Sequence, residues 1–476
     1  MKILSVTSEC VPLVKTGGLA DVAGALPEAL AAQGVQMRTL IPAYAGLIGK
    51  LGKTKTLWKG TLFGGAATIK AGKVGAIEIL ALDAPHLFDR AGGPYLDLSG
   101  KDHADNPQRF AALCRAAVEI AKGGLSDGWQ PELIHAHDWQ GALAPVYLKA
   151  EGIEIPSVLT IHNIAFQGIA PKALLDALSL PRAMWEDGTL EYWDQINTLK
   201  AGIICADKVT TVSPNYAVEL QRERFGMGLH GVINGRADGV RGILNGIDDA
   251  VWDPAHDPAI ITYSVKTPRR KAKNRAALTA EFGLTDTGGP LAIVVSRLTD
   301  QKGLDLLPDV LPAFAEAGGM MAILGTGDPV IEARLRQAAE RLKGRVAIKI
   351  GYDEALSHRM FAGADAVVIP SRFEPCGLTQ LYGLRYGAVP VVSATGGLAD
   401  TVIPASPAAL GAGVATGVMM MGETDGLALH TALCDLIRLH ADAPTFSRLR
   451  KNGMQADFGW ARSAATYAAL YKEILR

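Results

Sequence analysis

Residues 1–44, MKILSVTSECVPLVKTGGLADVAGALPEALAAQGVQMRTLIPAY, contain the repeating unit from which the chain is built. KILSVTS is a short β-rich run, and a loop with glycines follows it. ADVAGALPEALAAQG then has a helical pattern that ends at Gly34, and VQMRTLIPAY is again typical of a strand. Continuously apolar strands separated by helices predict a parallel sheet covered by helices on both faces.

The same alternation recurs along the rest of the chain. PELIHAHDWQGALAPVYL, IPSVLTIHN and DKVTTVSP continue the first series, and PLAIVVSRL, MMAILGTGD, VAIKIGY, DAVVIPS and VPVVSATGGL form a second. The pattern predicts an α/β protein with two Rossmann-like, doubly wound domains, residues 1–242 and 243–456, divided at the glycine-rich NGRADGVRG. Residues 457–476 have a helical pattern. Two such domains predict a ligand in a cleft at the carboxyl ends of their strands.

The charge balance and the cysteines exclude several classes of protein. Lys and Arg number 47 against 48 Asp and Glu, so the net charge of -1 predicts no general attraction to nucleic acid or to an anionic membrane. The basic run VKTPRRKAKNR, residues 265–275, is more typical of a solvated helix start than of a contact with nucleic acid or glucan. Five scattered cysteines indicate reduced thiols in a cytoplasmic protein and no zinc site. The sequence has no apolar run of about 18 residues, so no membrane span is predicted.

The motif KTGGLAD lies between the first strand and the first helix. Gly17 and Gly18 can bring backbone N–H groups close to an anion at the helix N-terminus, and Lys15 would add a positive charge. A plain glycine turn explains the two glycines equally well. TGGLAD recurs at residues 395–400, and in both copies we expect a tight glycine turn, with Asp21 or Asp400 in the first helical turn.

Polar side chains also follow two later strands of the first domain. HAHDWQ ends one strand and brings Asp138 and Trp139, and TIHN ends the next with His162 and Asn163. Carboxyl ends of parallel strands are where α/β sheets place ligand-facing groups. Each of these four residues, taken singly, is more often a loop residue whose polar atoms are hydrogen-bonded within the protein. No further His or Cys cluster supports a metal site.

The second domain carries two motifs of the same kind. SRLTDQKG offers Arg297 and Lys302 across a turn, where two cations would suit a diphosphate. PSRFEPCGLTQLYG brings Glu374 and Cys376 into a tight turn, and a helix is predicted to start near Leu378. Amides at that helix N-terminus would hold phosphate oxygens. Cys376 is explained equally well as a small side chain that fills buried space and as a reactive residue.

Taken together, the motifs resemble the bacterial glycogen synthase and plant starch synthase family, in unbroken order from Met1 to the end of the chain. The resemblance rests on KTGGLADV, HAHDWQ, TIHNIAFQG, FGMGLHGVI, LNGIDDAVWDP, SRLTDQKG, LGTGD, GYDEALSHRM and PSRFEPCGLTQLYGLRYG. It implies the GT-B fold, with two domains facing across a deep cleft and residues 457–476 crossing back to the first domain. It also implies transfer of glucose from ADP-glucose to the non-reducing 4-OH of an α-1,4-glucan such as glycogen, with retention of configuration and without metal or cofactor.

The resemblance implies a role for individual residues. Arg297 and Lys302 would grip the donor diphosphate from the second domain, and Lys15 would reach it from the first. Glu374 would hydrogen-bond the transferred glucose, and the backbone carbonyl of His162 would face the positive charge that develops at C1. The implied catalytic residues are Glu374, Lys15, Arg297, Lys302, His162 and Asp138. The implied donor-binding residues are Gly17, Gly18, Asn245, Tyr352, Cys376, Gly377, Leu378 and Thr379, and the implied acceptor-binding residues are Glu9, Tyr95, Trp139 and Asn163.

One position bears on the mechanism. Many retaining GT-B enzymes carry a second glutamate eight residues after the first, and Tyr382 stands there in this chain, as in the glycogen synthase branch. A double-carboxylate mechanism like that of many glycosidases is therefore disfavoured. The hypothesis is a front-face displacement, in which the departing phosphate oxygen takes the proton of the acceptor 4-OH.

Other functions stay open at this point. A non-catalytic glucan- or nucleotide-binding protein could keep the fold but would not need Glu374 together with three cations. A phosphorylase of similar fold would need a lysine that binds pyridoxal phosphate, and a dehydrogenase is disfavoured because the GxGxxG fingerprint is missing. The motifs do not distinguish ADP-glucose from UDP-glucose by physics. Oligomeric state and regulation leave no mark in the sequence.

Overall fold

The computed structural model describes every residue from Met1 to Arg476. The chain forms two compact units, Met1–Gly246 together with Trp460–Arg476, and Ile247–Gly459. The first unit thus extends beyond the expected boundary at 242, because Ile243 is buried in its core beside Trp460. Ile247 begins the second unit, where its N–H donates to the carbonyl of Phe458.

The first unit is built on a nine-stranded sheet in the order β12-β11-β7-β6-β1-β2-β5-β4-β3. All neighbours are parallel except the β3–β4 and β4–β5 pairs, which make an antiparallel edge. A separate three-stranded sheet has the order β8-β10-β9. The strands are β1 (Lys2–Val6), β2 (Gln36–Pro42), β3 (Lys55–Leu62), β4 (Gly65–Val74), β5 (Ile77–Asp83), β6 (Leu133–His137), β7 (Ser157–Ile161), β8 (Ile169–Pro171), β9 (Glu191–Tyr192), β10 (Gln195–Asn197), β11 (Lys208–Thr211) and β12 (Arg241–Gly242).

Helices surround this sheet, and their apolar faces supply much of its core. In α3 a continuous run from Arg109 to Cys114 is buried, so this helix is covered on most of its sides. The helices are α1 (Gly18–Ala31), α2 (Pro85–Phe88), α3 (Asn106–Gly123), α4 (Asp138–Gly141), α5 (Leu143–Ala150), α6 (Arg182–Glu186), α7 (Thr198–Cys205), α8 (Pro214–Glu219), α9 (Glu223–Gly226) and α10 (His230–Asn234).

The second unit is a six-stranded, fully parallel sheet in the order β15-β14-β13-β16-β17-β18. Its strands are β13 (Leu291–Val295), β14 (Met320–Gly325), β15 (Val346–Ile350), β16 (Ala366–Ile369), β17 (Val389–Ser393) and β18 (Val418–Met420). Its helices are α11 (Lys271–Glu281), α12 (Leu307–Glu316), α13 (Pro329–Arg341), α14 (Glu354–Gly363), α15 (Thr379–Tyr386), α16 (Gly396–Thr401), α17 (Pro407–Gly411), α18 (Gly426–Ala441) and α19 (Ala443–Gln455).

The last helix, α20 (Trp460–Ile474), belongs to the first unit. It starts three positions later than the expected 457, since Gly459 still pairs with Ile247 in the second unit. Its buried face, which includes Tyr467 and Tyr471, packs in one cluster with apolar residues of α1. None of the helices has the length and apolar character needed to cross a membrane.

Strand order decides where each unit can hold a ligand. In the first sheet β1 lies between β6 and β2. The strand that follows β1 in the chain is therefore added on one side of β1, and β6 is added later on its other side. In the second sheet β13 lies between β14 and β16 in the same way. Such switch points open a crevice at the carboxyl ends of the two central strands. The loops after β1 and β6, and after β13 and β16, therefore carry the candidate sites.

The basic run 265–275 leads into α11 as expected, and Lys266, Arg269, Arg270 and Lys273 are exposed, but Lys271 is buried. Lys271 is only 5% exposed, and its ammonium donates to the carbonyls of Phe361 at 2.9 Å, Ala362 at 2.8 Å and Tyr386 at 3.0 Å. These carbonyls lie at the carboxyl ends of α14 and α15, where the helix dipole attracts a cation. Burial lowers the pKa of Lys271 well below its ordinary value. The lysine is thus a structural clamp, and Arg275 of the same run pairs with Asp365.

Candidate functional site

The loop between β1 and α1 is held in place by the carboxylate of Glu9. Glu9 is 3% exposed, and its oxygens accept the backbone N–H of Thr16, the Thr16 hydroxyl at 2.5 Å and the backbone N–H of Gly17 at 3.1 Å. The hydroxyl of Tyr95 donates to the same carboxylate at 2.5 Å. Glu9 therefore organises the loop that carries Lys15.

This arrangement corrects the expectation that both glycines of the loop donate to an anion. The N–H of Gly17 already donates to Glu9, whereas Gly18 is the first residue of α1. A Cβ added at either glycine would meet no atom within 4 Å. The ammonium of Lys15 lies 2.7 Å from a carboxylate oxygen of Asp21, in the first turn of α1. The loop thus presents a cation, one helix-start amide and open space.

Asp138 ties the ends of β6 and β7 together. It has a φ of 49°, and its Oδ1 accepts the backbone N–H of His162 at 2.6 Å and that of Asn163 at 3.3 Å. Burial raises the pKa of Asp138 to about 7, and the nearby charge of Glu9 acts in the same direction. The side chain of Asn163 accepts the N–H of Ala165 at 3.0 Å, as a satisfied loop residue does. Asp138 therefore fixes the backbone of His162.

Three buried histidines lie behind this loop. Nδ1 of His137 is 3.0 Å from Nε2 of His162, and Nε2 of His137 is 3.2 Å from the Ser5 hydroxyl. Burial lowers the pKa of His137 to about 3 and that of His162 well below its ordinary value, so both imidazoles are neutral at neutral pH. His135 lies beside them and contacts the Tyr471 hydroxyl of α20 at 2.8 Å. The sequence indicated the histidines, but Ser5 and Tyr471 carry no signal that separates them from ordinary core positions.

The aromatic side chains predicted for the acceptor side are joined by a residue that the sequence did not single out. Trp139 packs edge-on against Phe110, with ring centroids 4.9 Å apart, and Tyr95 packs against the same ring at 5.9 Å. The hydroxyl of Tyr95 also lies 2.7 Å from that of Ser8. Phe110 is a buried residue of α3. Its place in the helical pattern of the sequence predicts packing and gives no sign that it lies near a site.

In the second unit, the switch point between β13 and β16 holds a cation and a carboxylate together. Nζ of Lys302 lies 2.5 Å from Oε2 of Glu374, and the Ser371 hydroxyl donates to the same oxygen at 2.9 Å. Glu374 is 6% exposed, and Arg297, from the same loop as Lys302, is exposed. The two predicted motifs, SRLTDQKG and PSRFEPCGLTQLYG, therefore meet at one place. The Ser371 hydroxyl is a further partner of Glu374 that the spacing of the motifs did not assign.

The turn after Glu374 leads into α15 as the sequence predicts. Leu378 is the N-cap residue and makes no side-chain capping bond, so the first amides of α15, which begins at Thr379, point out of the helix. Gly377 has a φ of 69°, and Gln380 donates to the carbonyls of Cys376 at 3.0 Å and Gly377 at 2.8 Å. Cys376 is 5% exposed, so its side chain is buried within this turn.

The second TGGLAD copy packs directly on this turn. The N–H of Gly397 donates to the carbonyl of Glu374 at 3.1 Å. A Cβ added at Gly396 would overlap the Glu374 carbonyl oxygen, and one at Gly397 would overlap the backbone of Cys376. Asp400 lies near the end of α16 and not in its first turn, contrary to expectation. The two copies of the motif thus have different surroundings.

The remaining predicted residues lie away from the switch points. Tyr382 stacks on Trp252, with ring centroids 3.7 Å apart, so the position of the absent second glutamate is filled by aromatic packing. Tyr352 follows β15, which β14 separates from β13, and its ring is 75% exposed. Asn245 belongs to the first unit and not to the second, and its buried Oδ1 has no hydrogen-bond partner. No group of three or more His, Cys, Asp or Glu side chains is arranged to hold a metal ion.

Replacing Asp138 by asparagine is expected to change stability in a pH-dependent way. The unfolded chain ionises Asp138 near 3.8, but burial raises the folded pKa to about 7. The folded state is therefore destabilised progressively as pH rises from about 4 to about 7, by on the order of 4 kcal/mol. Asparagine keeps the Oδ1 acceptor but does not ionise. Asp138→Asn should raise the urea midpoint at pH 8 and change it much less at pH 5; an equal shift at both would contradict the assignment.

Comparisons with known proteins agree with this architecture. Residues 2–235 match the family model of the starch synthase catalytic domain, and residues 279–416 match that of glycosyl transferases group 1. A glycogen synthase from Cereibacter sphaeroides is 56% identical over 476 residues, 100% of this chain and 98% of the relative. A glycogen synthase from Paracoccus denitrificans is 55% identical over 473 residues, 99% of each chain.

Solved structures give the same result. The catalytic domain of starch synthase IV from Arabidopsis thaliana, bound to ADP and acarbose, matches with a TM-score of 0.89 and 30% identity over 99% of both chains. Sucrose-phosphate synthase from Thermosynechococcus elongatus shares the fold, with a TM-score of 0.62 and 18% identity over 99% of this chain and 98% of that one. Fold and sites together define a GT-B glycosyltransferase. Within that class, the chain belongs to the glycogen synthase and starch synthase family.

Proposed function

We propose that the chain transfers glucose from ADP-glucose to the non-reducing 4-OH of an α-1,4-glucan, with retention of configuration. The observation that carries the proposal is the Lys302–Glu374 pair at the switch point of the second unit, beside the uncapped N-terminus of α15. A diphosphate needs cations and free amides, and a sugar needs a fixed hydrogen-bond acceptor. ADP is favoured as the nucleotide because the starch synthase IV relative is bound to ADP.

On the donor side, each unit taken by itself presents groups suited to a phosphate. In the second unit these are Arg297 and Lys302, with the amides of Leu378 and Thr379, which would bind the diphosphate. In the first unit they are Lys15 and the amide of Gly18. Tyr352, Asn245 and the turn at Cys376 and Gly377 are the remaining donor-side candidates. In this proposal Glu9 and Gly17 hold the loop in place instead of binding the donor, because the carboxylate of Glu9 accepts the backbone N–H of Gly17.

On the sugar side, Glu374 would accept hydrogen bonds from the glucose while its other contacts keep it in place. The Ser371 hydroxyl holds Oε2 and leaves the second carboxylate oxygen for the substrate. The backbone of His162, fixed by Asp138, would direct its carbonyl towards the charge that develops at C1. Because the imidazole of His162 is neutral, it adds no positive charge against an oxocarbenium-like sugar.

The chemistry proposed is a front-face displacement. The C1–O bond to ADP breaks, the acceptor 4-OH attacks on the same face, and its proton passes to the departing phosphate oxygen. No protein nucleophile is required, and Tyr382, stacked on Trp252, leaves no carboxylate at the position of the second glutamate. The work of the protein is then to stabilise the negative charge of the leaving diphosphate. We propose that neither a metal ion nor an organic cofactor takes part.

A donor-preference assay tests the proposal directly. Purified protein with glycogen as acceptor should incorporate radiolabelled glucose from ADP-glucose much faster than from UDP-glucose. The product should be released by an exo-acting α-1,4-glucosidase, because the new linkage is α-1,4 at the non-reducing end. Equal rates with both donors would contradict ADP specificity, and no incorporation from either donor would contradict the proposed function.

A further inference from the structure

The segment DDAVWDPAHD, residues 248–257, has no role in the function proposed above, yet it contacts two helices of the second unit. The ring of Trp252 is stacked between that of Tyr382 in α15 and that of His358 in α14. The ring centroids lie 3.7 and 3.9 Å from that of Trp252, with interplanar angles of 15° and 14°. Trp252 is 9% exposed. One side chain of the segment therefore separates and contacts both helices.

The geometry of this stack is unusual for simple core packing. Aromatic pairs prefer offset or edge-to-face arrangements over a face-to-face sandwich. The short centroid distances between nearly parallel rings leave little offset, so Trp252 is covered ring on ring from both sides. A flat ring held in this way restricts the rotation of α14 and α15 about each other. The stack thus fixes an orientation as well as filling space.

Polar contacts from the same segment hold α15 at two further positions. The guanidinium of Arg385 donates to Asp253 at 3.1 Å, and the hydroxyl of Tyr386 donates to Oδ2 of Asp257 at 2.6 Å. Arg385 and Tyr386 follow Tyr382 by three and four positions, so all three side chains lie on one side of the helix. The segment therefore holds α15 along that side.

Asp257 also joins the segment to α14. It is 2% exposed, and its Oδ2 lies 2.7 Å from Nδ1 of His358, while its Oδ1 accepts the N–H of Ala259 at 2.8 Å. Burial and the hydrogen bond to Asp257 raise the pKa of Tyr386, so its hydroxyl keeps the proton that it donates. His358 is thus held on its ring face by Trp252 and at Nδ1 by Asp257.

A backbone hydrogen bond connects Tyr382 to the start of α15. The N–H of Tyr382 donates to the carbonyl of Leu378 at 3.0 Å. That carbonyl and the N–H of Thr379 belong to the same planar peptide group, so a shift of Tyr382 reorients both. α15 has only eight residues, about two turns, so its first amides change direction when the helix tilts. The N–H of Thr379 is one of the amides assigned above to the donor diphosphate.

We propose that Trp252 is a positioning residue: by holding Tyr382 against His358, it sets the direction of the Leu378–Thr379 peptide group and hence the affinity for the donor diphosphate. This role rests on the function proposed above, because it requires that this peptide group meets the diphosphate. Tyr382, at the position of the absent second glutamate, then serves donor binding through the backbone of its helix.

Calorimetric titration of the full-length protein with ADP tests the proposal. Trp252→Leu removes the stack but keeps an apolar side chain, and it should weaken ADP binding about tenfold or more, as expected when one amide hydrogen bond to a charged oxygen is lost. Trp252→Phe restores an aromatic ring and should recover most of that affinity. Phe314→Leu shortens a buried aromatic side chain of α12 in a separate core cluster. This matched control should lower the urea midpoint and leave ADP affinity unchanged.

Tyr382→Leu removes the same stack at a position that is only partly buried, so it is the variant less prone to unfold. It should weaken ADP binding as much as Trp252→Leu does, and the double variant should weaken it no further, because two members of one stack act together. Unchanged ADP affinity in both single variants, additive losses in the double variant, or an equal loss in Phe314→Leu would overturn the inference. Failure of the parent protein to bind ADP would instead overturn the proposed function, and the inference with it.

Discussion

Replacing Lys302 by methionine is expected to lower the turnover of glucosyl transfer by about 10²- to 10³-fold at saturating donor. The reason is that Lys302 would stabilise the negative charge of the leaving diphosphate, a charge that is fully developed only after the C1–O bond breaks. The same substitution removes the partner of Glu374, which is 6% exposed and lies 2.5 Å from the lysine. The pair is only part-buried, so removing one member should cost less than the about 3 to 5 kcal/mol of a fully buried pair. Stability and turnover should therefore fall together.

A double variant separates these two effects when its turnover is compared with that of Glu374→Gln alone, since Glu374 itself would bind the transferred glucose. In Lys302→Met with Glu374→Gln, no charge is left unpaired, and the glutamine oxygen can still accept the Ser371 hydroxyl. We expect the urea midpoint to return most of the way to that of the parent protein, while turnover stays well below that of Glu374→Gln alone. Lys343→Met, on an exposed lysine of the same unit, is the control for a simple loss of charge.

Two outcomes would contradict this account. If the double variant regained stability and turned over as fast as Glu374→Gln alone, the lysine would act only by holding the fold around Glu374. If Lys302→Met kept near-normal turnover at saturating donor, the cation would not stabilise the leaving diphosphate. The measurements are steady-state rates over a range of donor concentrations and urea unfolding of each variant at a fixed pH.

The sequence predicted the strand-end motifs well because they follow a local rule. A buried strand followed by glycines or polar residues can be read within about ten residues, so the loops with Lys15, Asp138, Lys302 and Glu374 were found at the carboxyl ends of their strands. Residues that reach these loops from elsewhere gave no such signal. Tyr95 meets Glu9 from a segment 86 residues away in the chain. That contact depends on the packing of α3 and its Phe110, which no local pattern encodes.

Burial of charge was the least predictable property. Lys271 lies in a run of basic residues, which usually indicates a solvated surface, yet its ammonium is satisfied by carbonyls at the ends of two helices that come later in the chain. The same holds for Gly17, because a free glycine amide and one occupied by Glu9 look identical in sequence. In both cases the surroundings of the residue depend on atoms that are distant in the sequence, so the local sequence could not predict them.

Gly396→Ala is expected to destabilise the second unit strongly, while Gly17→Ala is expected to leave the stability of the first unit within about 0.5 kcal/mol of the parent. Gly396 has a φ of 43°, and its Cβ would overlap the carbonyl oxygen of Glu374. A left-handed conformation costs alanine about 1 to 2 kcal/mol, and forced overpacking adds about 1 to 3 kcal/mol. Gly17 has an extended backbone, with φ of −154° and ψ of −170°, and a Cβ there meets nothing.

The turnover of the two variants then distinguishes what the shared letters TGGLAD do. Gly396→Ala should lose activity because the turn that carries Glu374 is displaced, and the loss should parallel the fall in its thermal unfolding temperature. Gly17→Ala should keep its unfolding temperature but show a higher KM for the donor, since an added methyl group enters the open space in front of Gly18. A normal KM for Gly17→Ala would mean that no ligand approaches this loop closely. In the second copy the glycines give room to the backbone of the protein, whereas in the first we expect them to give room to a ligand.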